Sequence, residues 1–337
     1  MKKVLFATTA LIATATMASA DVRISGYGRF GLAYLEDNDR VGGVPTGAKN
    51  GNSETNITSR LRLQFDMSTE TDGGVTLGAR FRAQAESRGN APGGAVFNGA
   101  RFYASVGGFT LGVGNIIGAI EGAPGLYLET RTAGIGIDGA GFHSLVTNVN
   151  GESFNWDAYS SAGVGANGIE ALYSSGGFTG HLSYSTDNGP ISVDRFAAML
   201  TYTFGDWTAS ISAQNSDIMW EDKVVVTVSG NIGDFGVRLA YADNDGIAKW
   251  GLYGNYDIGA ASNILLWVTD EEAVSAADVA AGRGENRDGV AGSNNGEGTS
   301  YGIHYSYDLG GGASFETGYR RASNDNDTFQ AGVYFSF

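Results

Sequence analysis

Apolar and polar residues alternate with a period of two along most of this chain, the spacing of a strand with one greasy and one wet face. Across Asp21–Tyr34 one phase holds Val22, Ile24, Gly26, Gly28, Phe30, Leu32 and Tyr34, and the other Asp21, Arg23, Ser25, Tyr27, Arg29, Gly31 and Ala33. Leu61, Leu63, Phe65 and Met67 then oppose Arg60, Arg62, Gln64 and Asp66. Next, Val75, Leu77, Ala79, Phe81 and Ala83 oppose Thr76, Gly78, Arg80, Arg82 and Gln84. The pattern holds to the end of the chain, where Phe329, Ala331, Val333, Phe335 and Phe337 alternate with Gln330, Gly332, Tyr334 and Ser336.

Two-faced strands also build soluble sandwiches, whose apolar faces point inward. Connection lengths separate the two cases. Tight turns (Gly107-Gly108, Gly205-Asp206, Gly233-Asp234, Gly259-Ala260 and Gly310–Gly312) alternate with longer polar connections at Glu36–Asn56, Ser87–Phe97, Asn115–Asn167, Asp187–Asp194 and Glu271–Gly298. Short turns at one end and long loops at the other mark a transmembrane barrel.

Strands are expected near 22–34, 57–68, 75–86, 98–106, 109–115, 168–175, 177–186 and 195–204, then 207–216, 223–232, 235–243, 248–257, 261–270, 299–309, 313–321 and 328–337. The fold class is therefore all-β: an antiparallel transmembrane β-barrel of sixteen strands, with a long loop between strands five and six. The apolar stretch 141–149 is assigned to that loop, because a seventeenth strand would leave the two ends of the sheet unable to meet. A barrel of sixteen strands is too wide for side chains to fill and encloses water.

Composition narrows the classes of function. Residues 1–20 read as a cleaved signal peptide: Lys2 and Lys3, an apolar stretch, and Ala18-Ser19-Ala20 before Asp21. The barrel domain is then 21–337. Without Lys2 and Lys3, 19 basic residues stand against 36 acidic ones, a net charge of −17 from the −15 of the whole chain. That balance argues against nucleic acid as a partner, which needs a clustered basic surface. With no cysteine there is neither a disulfide framework nor a thiolate metal site. Outer-membrane lipid, small polar solutes and ions are the expected partners, at the bacterial outer membrane.

The residues that carry function are charged and lie on the wet phase. Arg29, Arg60, Arg62, Arg80 and Arg82 fall there on three neighbouring strands, with Arg101 behind them. Such a cluster repels itself unless acids face it. Interleaving with other lumen acids is one way to balance it, and carboxylates from the long loop are the other. The loop at 115–167 is too apolar to float in water, with Ile116, Ile117, Ile120, Leu126, Tyr127, Leu128 and Trp156 among its residues, so it is expected to fold into the barrel. Glu121 and Glu129 are then the leading acidic candidates, with Asp138, Glu152 and Asp157 behind them. A basic wall facing an acidic loop would set a transverse field across a passive, non-specific pore.

Other signals carry less. The run Gly112–Gly118 lacks the spacing and the strand–helix context of a dinucleotide loop. His143, His181 and His304 are scattered, and no serine–histidine pair points to a nucleophile, so no enzyme and no required cofactor are expected. The acids within Glu271–Gly298 could bind Ca²⁺ weakly, but they lack EF-hand spacing and a solvated loop explains them better. An adhesive barrel and a secreted soluble β-protein are the alternative readings of the chain.

Gly26-Tyr27-Gly28-Arg29-Phe30-Gly31-Leu32, Ile57-Thr58-Ser59-Arg60-Leu61-Arg62-Leu63 and Thr69-Glu70-Thr71-Asp72-Gly73-Gly74-Val75-Thr76 resemble the general diffusion porins of purple photosynthetic alphaproteobacteria. The terminal Phe337 is similar to that family's carboxy-terminal aromatic, an assembly signal. The resemblance covers about the first 120 and last 40 residues. It implies a homotrimer of sixteen-stranded barrels, each with its own pore narrowed by its third outer loop. It also implies a basic-strand and acidic-loop arrangement, which carries over to Arg29, Arg60 and Arg62 inside the matched motifs. The loop acids match no motif.

Overall fold

The computed structural model describes residues 21–36, 38–40, 48–87, 91–127, 159–187, 193–218, 221–273, 277, 298–323 and 325–337. The expected signal peptide, the stretch 141–149 and most of Glu271–Gly298 lie outside these residues. Within them a single antiparallel sheet runs through seventeen ladder segments and closes on itself.

The segments are β1 (Asp21–Leu35), β2 (Thr55–Glu70), β3 (Thr76–Glu86), β4 (Val96–Phe97), β5 (Arg101–Val106), β6 (Phe109–Gly114), β7 (Asn167–Ser175), β8 (Phe178–Asp187) and β9 (Val193–Phe204). They continue with β10 (Trp207–Ser216), β11 (Lys223–Ile232), β12 (Phe235–Asn244), β13 (Ile247–Ile258), β14 (Ser262–Glu271), β15 (Gly298–Gly310), β16 (Ala313–Arg321) and β17 (Asp327–Ser336). Segments β4 and β5 both pair with β3 and make one crossing, so the wall has sixteen strands.

The sequence pattern treats that fourth crossing as unbroken over 98–106; the structure interrupts it. Ala83 pairs with Phe97 but Arg80 with Arg101, a slip of one residue. Asn98 explains the slip. Its backbone N–H donates to the Arg82 carbonyl at 3.0 Å, while its side-chain Oδ1 takes the Arg82 N–H at 2.6 Å. A side chain thus stands in for the ladder, and the strand bulges.

Turn chemistry fixes the ends. Gly107 and Gly108 both have positive φ, 57° and 83°, as the mirror-image turn of a two-residue hairpin requires. Asp245-Gly246, φ 53° and 88°, makes the same turn at the otherwise long-looped end of the barrel.

Closure occurs between β1 and β17, over nine pairs from Tyr27↔Ser336 to Leu35↔Thr328. Beyond them Gly26 and Phe337 exchange both backbone hydrogen bonds, at 2.9 and 3.1 Å. Glycine is needed on the outer face here. A Cβ at Gly28 would overlap the Phe335 ring, and one at Gly26 would overlap the Arg62 carbonyl and stand 3.2 Å from the Phe337 ring. The C-terminal aromatics fill the notches these glycines leave.

Exposure follows the two-residue phase. Phe30, Leu32, Leu200, Leu239, Leu252 and Leu266 are exposed on the outer face, while Arg29, Thr328 and Gln330 are buried within. An outer surface this apolar suits lipid and not water. Arginine placed at Leu200 should destabilise the barrel by about 2–4 kcal/mol, by the depth-dependent cost of a lipid-facing charge. At Thr203, on the lumen phase of the same strand, arginine should be tolerated. Denaturant midpoints of the two variants in detergent or bilayer check this; equal losses would contradict the assigned phase.

Candidate functional site

The five arginines converge on one patch of inner wall, and the register of β2 and β3 says how. Both strands carry the same inward series: Arg60, Arg62, Gln64, Asp66 on β2, and Arg80, Arg82, Gln84, Glu86 on β3. Antiparallel pairing sets Arg60 against Glu86, Arg62 against Gln84, Gln64 against Arg82 and Asp66 against Arg80. Two copies of one pattern therefore complement each other about a local two-fold axis. Arg80 Nε donates to Asp66 Oδ1 at 2.5 Å. Arg60 donates to Glu86, which also draws Arg29 to 3.7 Å.

The two central arginines meet amides instead. Arg62 Nε donates to Gln84 Oε1 at 2.7 Å, and Arg82 Nε to Gln64 Oε1 at 3.0 Å. Each glutamine NH₂ then turns to the acid on its own strand, Gln64 to Asp66 at 2.8 Å and Gln84 to Glu86 at 3.4 Å. Aromatic rings support both guanidinium planes: Arg62 lies 5.2 Å from the centroid of Tyr27 and Arg82 4.5 Å from that of Tyr159. Of the two ways expected to balance this cluster, the register shows the first at work. Wall acids Asp66 and Glu86 neutralise part of it, as the interleaving alternative held, because strand register puts them directly opposite arginines.

The connection after β6 runs into the lumen, and a buried glutamate holds its start. Glu170 on β7, 1% exposed, receives Arg101 Nε at 2.5 Å and lies 2.9 Å from His181 Nε2. It also accepts the backbone N–H groups of Ile117 and Gly118 at 3.2 and 3.3 Å, while Ala119 N–H donates to Ser183 Oγ at 2.8 Å. The wall thus supplies acceptors for loop amides that would otherwise be buried unpaired. Arg101, grouped with the basic wall by sequence, belongs to this clasp.

Beyond the clasp the loop packs through its apolar residues. Ala119, Ile120, Ala123 and Leu126 form a buried cluster with Ala197, Met199, Val225 and Ala242 from β9, β11 and β12. The far wall is apolar on its inner face at these positions, against the strict alternation, because the loop covers it. Further along this limb, Thr227 Oγ1 donates to the Pro124 carbonyl at 2.7 Å and Arg238 Nη1 to the Tyr127 carbonyl at 2.5 Å. The returning limb sits on the arginine side, where Ser161 Oγ accepts from Arg82 Nη1 at 3.1 Å and Asn115 Nδ2 donates to the Ser160 carbonyl at 3.1 Å.

Of the loop carboxylates, only Glu121 is among the described residues; Glu129, Asp138, Glu152 and Asp157 lie outside them. Glu121 accepts the Tyr127 hydroxyl at 2.6 Å and stands within electrostatic reach of Arg82. Burial, and then the Glu121 charge, push the Tyr127 phenol well above its ordinary pKa, so it remains a donor. Elsewhere on the inner wall, Lys249 meets Glu271 at 3.1 Å, Arg195 grips Glu221 through two bonds of 2.7 and 2.8 Å, and His304 lies 2.9 Å from Glu316. His181 and His304 thus pair with lumen carboxylates. Among the described residues no three ligating side chains gather into a metal site.

A wide closed barrel, a charged inner wall and a loop folded across the lumen agree with known proteins. The family described as Gram-negative porin matches residues 7–327. A porin of Fuscovulum blasticum is 32% identical over 279 residues, 78% of this chain and 89% of that protein. A five-substitution variant of the Rh. blastica porin superposes with a TM-score of 0.72 at 25% identity, covering 94% of this chain and all of its own. A two-substitution variant of the same porin gives the same values. The chain belongs to the Gram-negative porin family: it is a passive diffusion channel of the outer membrane, crosses it with strands, and is not an enzyme.

Proposed function

We propose that the pore of this channel is narrowest between the arginine wall of β1–β3 and the inward loop, and that small hydrophilic solutes and ions pass there through a transverse field. The observation that carries the reading is that the loop touches both sides of the lumen: Ile120 and Leu126 pack with Met199 and Val225 of the far wall, and Ser161 on its returning limb accepts from Arg82 Nη1 at 3.1 Å. A dipolar solute gains by aligning in such a field, whereas an apolar one must displace ordered water for no return. Arg62 and Arg82 supply the positive side, since Arg29, Arg60 and Arg80 have wall carboxylates beside them. The remaining loop acids of the expected set, Glu129, Asp138, Glu152 and Asp157, would add to the negative side.

Replacing Arg62 and Arg82 together by glutamine should shift the reversal potential toward cations and raise single-channel conductance in low salt. Glu121→Gln should shift it toward anions. Screening over about 8 Å at ~0.15 M salt should shrink both effects as salt is added. Unchanged reversal potential and conductance in both variants would remove these residues from the narrowest passage.

The functional unit is proposed to be a homotrimer, with outer-membrane lipid around it. Family membership supports this, and so does the height of the wall. Segment β6, a whole crossing, has only six residues. Six residues rise about 20 Å, or about 15 Å at a 40° tilt, against an apolar band of about 25 Å. That sector is covered if neighbouring copies shield it from lipid. Gly26 and Gly28 do not contribute a packing face, because Phe335 and Phe337 occupy the space beside them. The same pairing supports Phe337 as an assembly signal, because its backbone bonds with Gly26 extend the seam. Mass measurement in mild detergent should give three copies; a monomer at every concentration would contradict the proposal.

A further inference from the structure

The doubled pattern on β2 and β3 leaves a chemically specific centre. Its ends are neutralised, by Asp66 on Arg80 and by Glu86 on Arg60 and Arg29. Its middle is not. Arg62 and Arg82 each spend Nε on a neutral amide, and neither has a carboxylate partner among the described residues. The glutamines cannot turn away, since each NH₂ is committed to an acid on its own strand. Tyr27 and Tyr159 back the guanidinium faces and hold their planes, and both arginines remain partly exposed. Among the described residues, Arg82 gives Nη1 to Ser161 and has no hydrogen bond from Nη2, and Arg62 has none from either Nη group.

Fixed guanidinium edges with no hydrogen-bonded carboxylate among the described residues suit one ligand chemistry. Oxyanions with two or more acceptor oxygens take forked, charge-assisted hydrogen bonds from arginine, whereas chloride offers a point charge and no fork. Two such groups related by a local two-fold suit a doubly charged solute better than a singly charged one.

We propose that Arg62 and Arg82 form an oxyanion station in the pore, where solutes bearing phosphate or paired carboxylates dwell during passage. This rests on the constriction reading above and adds a solute class to it. Dwelling there slows a dianion relative to chloride without closing the channel, so flux of the dianion saturates with concentration.

The test uses the full chain in planar bilayers, with single-channel conductance recorded in potassium phosphate, potassium succinate and potassium chloride at matched bulk conductivity. Conductance should grow in proportion to chloride but saturate with phosphate near neutral pH. Saturation by succinate as well extends the station to dicarboxylates; saturation by phosphate alone confines it to phosphate-bearing solutes. Arg62→Gln and Arg82→Gln should each raise the half-saturating phosphate concentration about tenfold, equivalent to about 1.4 kcal/mol. Arg62→Lys and Arg82→Lys, which keep the charge and lose the fork, should fall between.

Wild-type conductance as linear in phosphate as in chloride would overturn the station whatever the variants do. Saturation that survives both glutamine variants would overturn its assignment to these residues. If those variants shift the reversal potential in chloride while phosphate behaves linearly, the constriction stands and the station falls. If neither measurement moves, both fall.

Discussion

A polypeptide inside hydrocarbon finds no water for its amides, and an unpaired N–H or C=O there costs several kcal/mol. The rest of this molecule depends on that constraint. It requires the first and last strands to meet, and the chain provides for the meeting locally: Gly26 and Gly28 stand where Phe337 and Phe335 cross them, and Gly26 and Phe337 exchange the final pair of ladder bonds. Closing sixteen crossings gives a wall too wide to fill, so the lumen follows from backbone pairing and not from any special residue.

Once the wall is closed, register decides the chemistry inside it. A slip of one residue would turn every lumen side chain toward lipid, so Arg60, Arg62, Arg80 and Arg82 are located by the same pairing that locates Leu61 and Phe81. The slip at Asn98 is the exception, and there a side chain replaces the missing ladder bond and also ties down the returning loop at Ser160. The loop in turn converts inner-face positions such as Met199 and Val225 from liabilities into a packing surface. Pairing, register and loop burial are thus one connected arrangement.

The strand phase, the strand count and the inward arginines were legible because a period of two is a local property that needs no knowledge of partners. Strand partners were harder to read. Asp66, Gln64, Gln84 and Glu86 all lie on the wet phase, yet their roles emerge only when β2 and β3 are set in register. The clasp at Glu170 draws on β5, β7, β8 and loop backbone, residues spread over 101–181, and nothing in the local sequence marks it. The inner apolar patch did leave a trace. Val224–Val226 and Ile264–Val268 are apolar on both phases, which signals a lumen face covered by protein. Gly26 and Gly28 invite the opposite error: they suggest an open face for a neighbour, whereas side chains from the same barrel occupy it.

The central claim is that the connection after β6 rests against the far inner wall while the channel is open. Gly125 and Thr227 test it, because a Cβ added at Gly125, whose φ of 89° a side chain adopts only with strain, would lie 3.0 Å from that of Thr227, within about half an ångström of the span of a disulfide, and the chain contains no cysteine. With cysteine at both positions, mild oxidation should link loop to wall, and the linked channel should conduct within the range of the unlinked one, since the bond only fastens what is already in contact. Failure to form the link, or a bridged channel whose conductance differs severalfold from the reduced form, would contradict a loop seated in the lumen of the open pore.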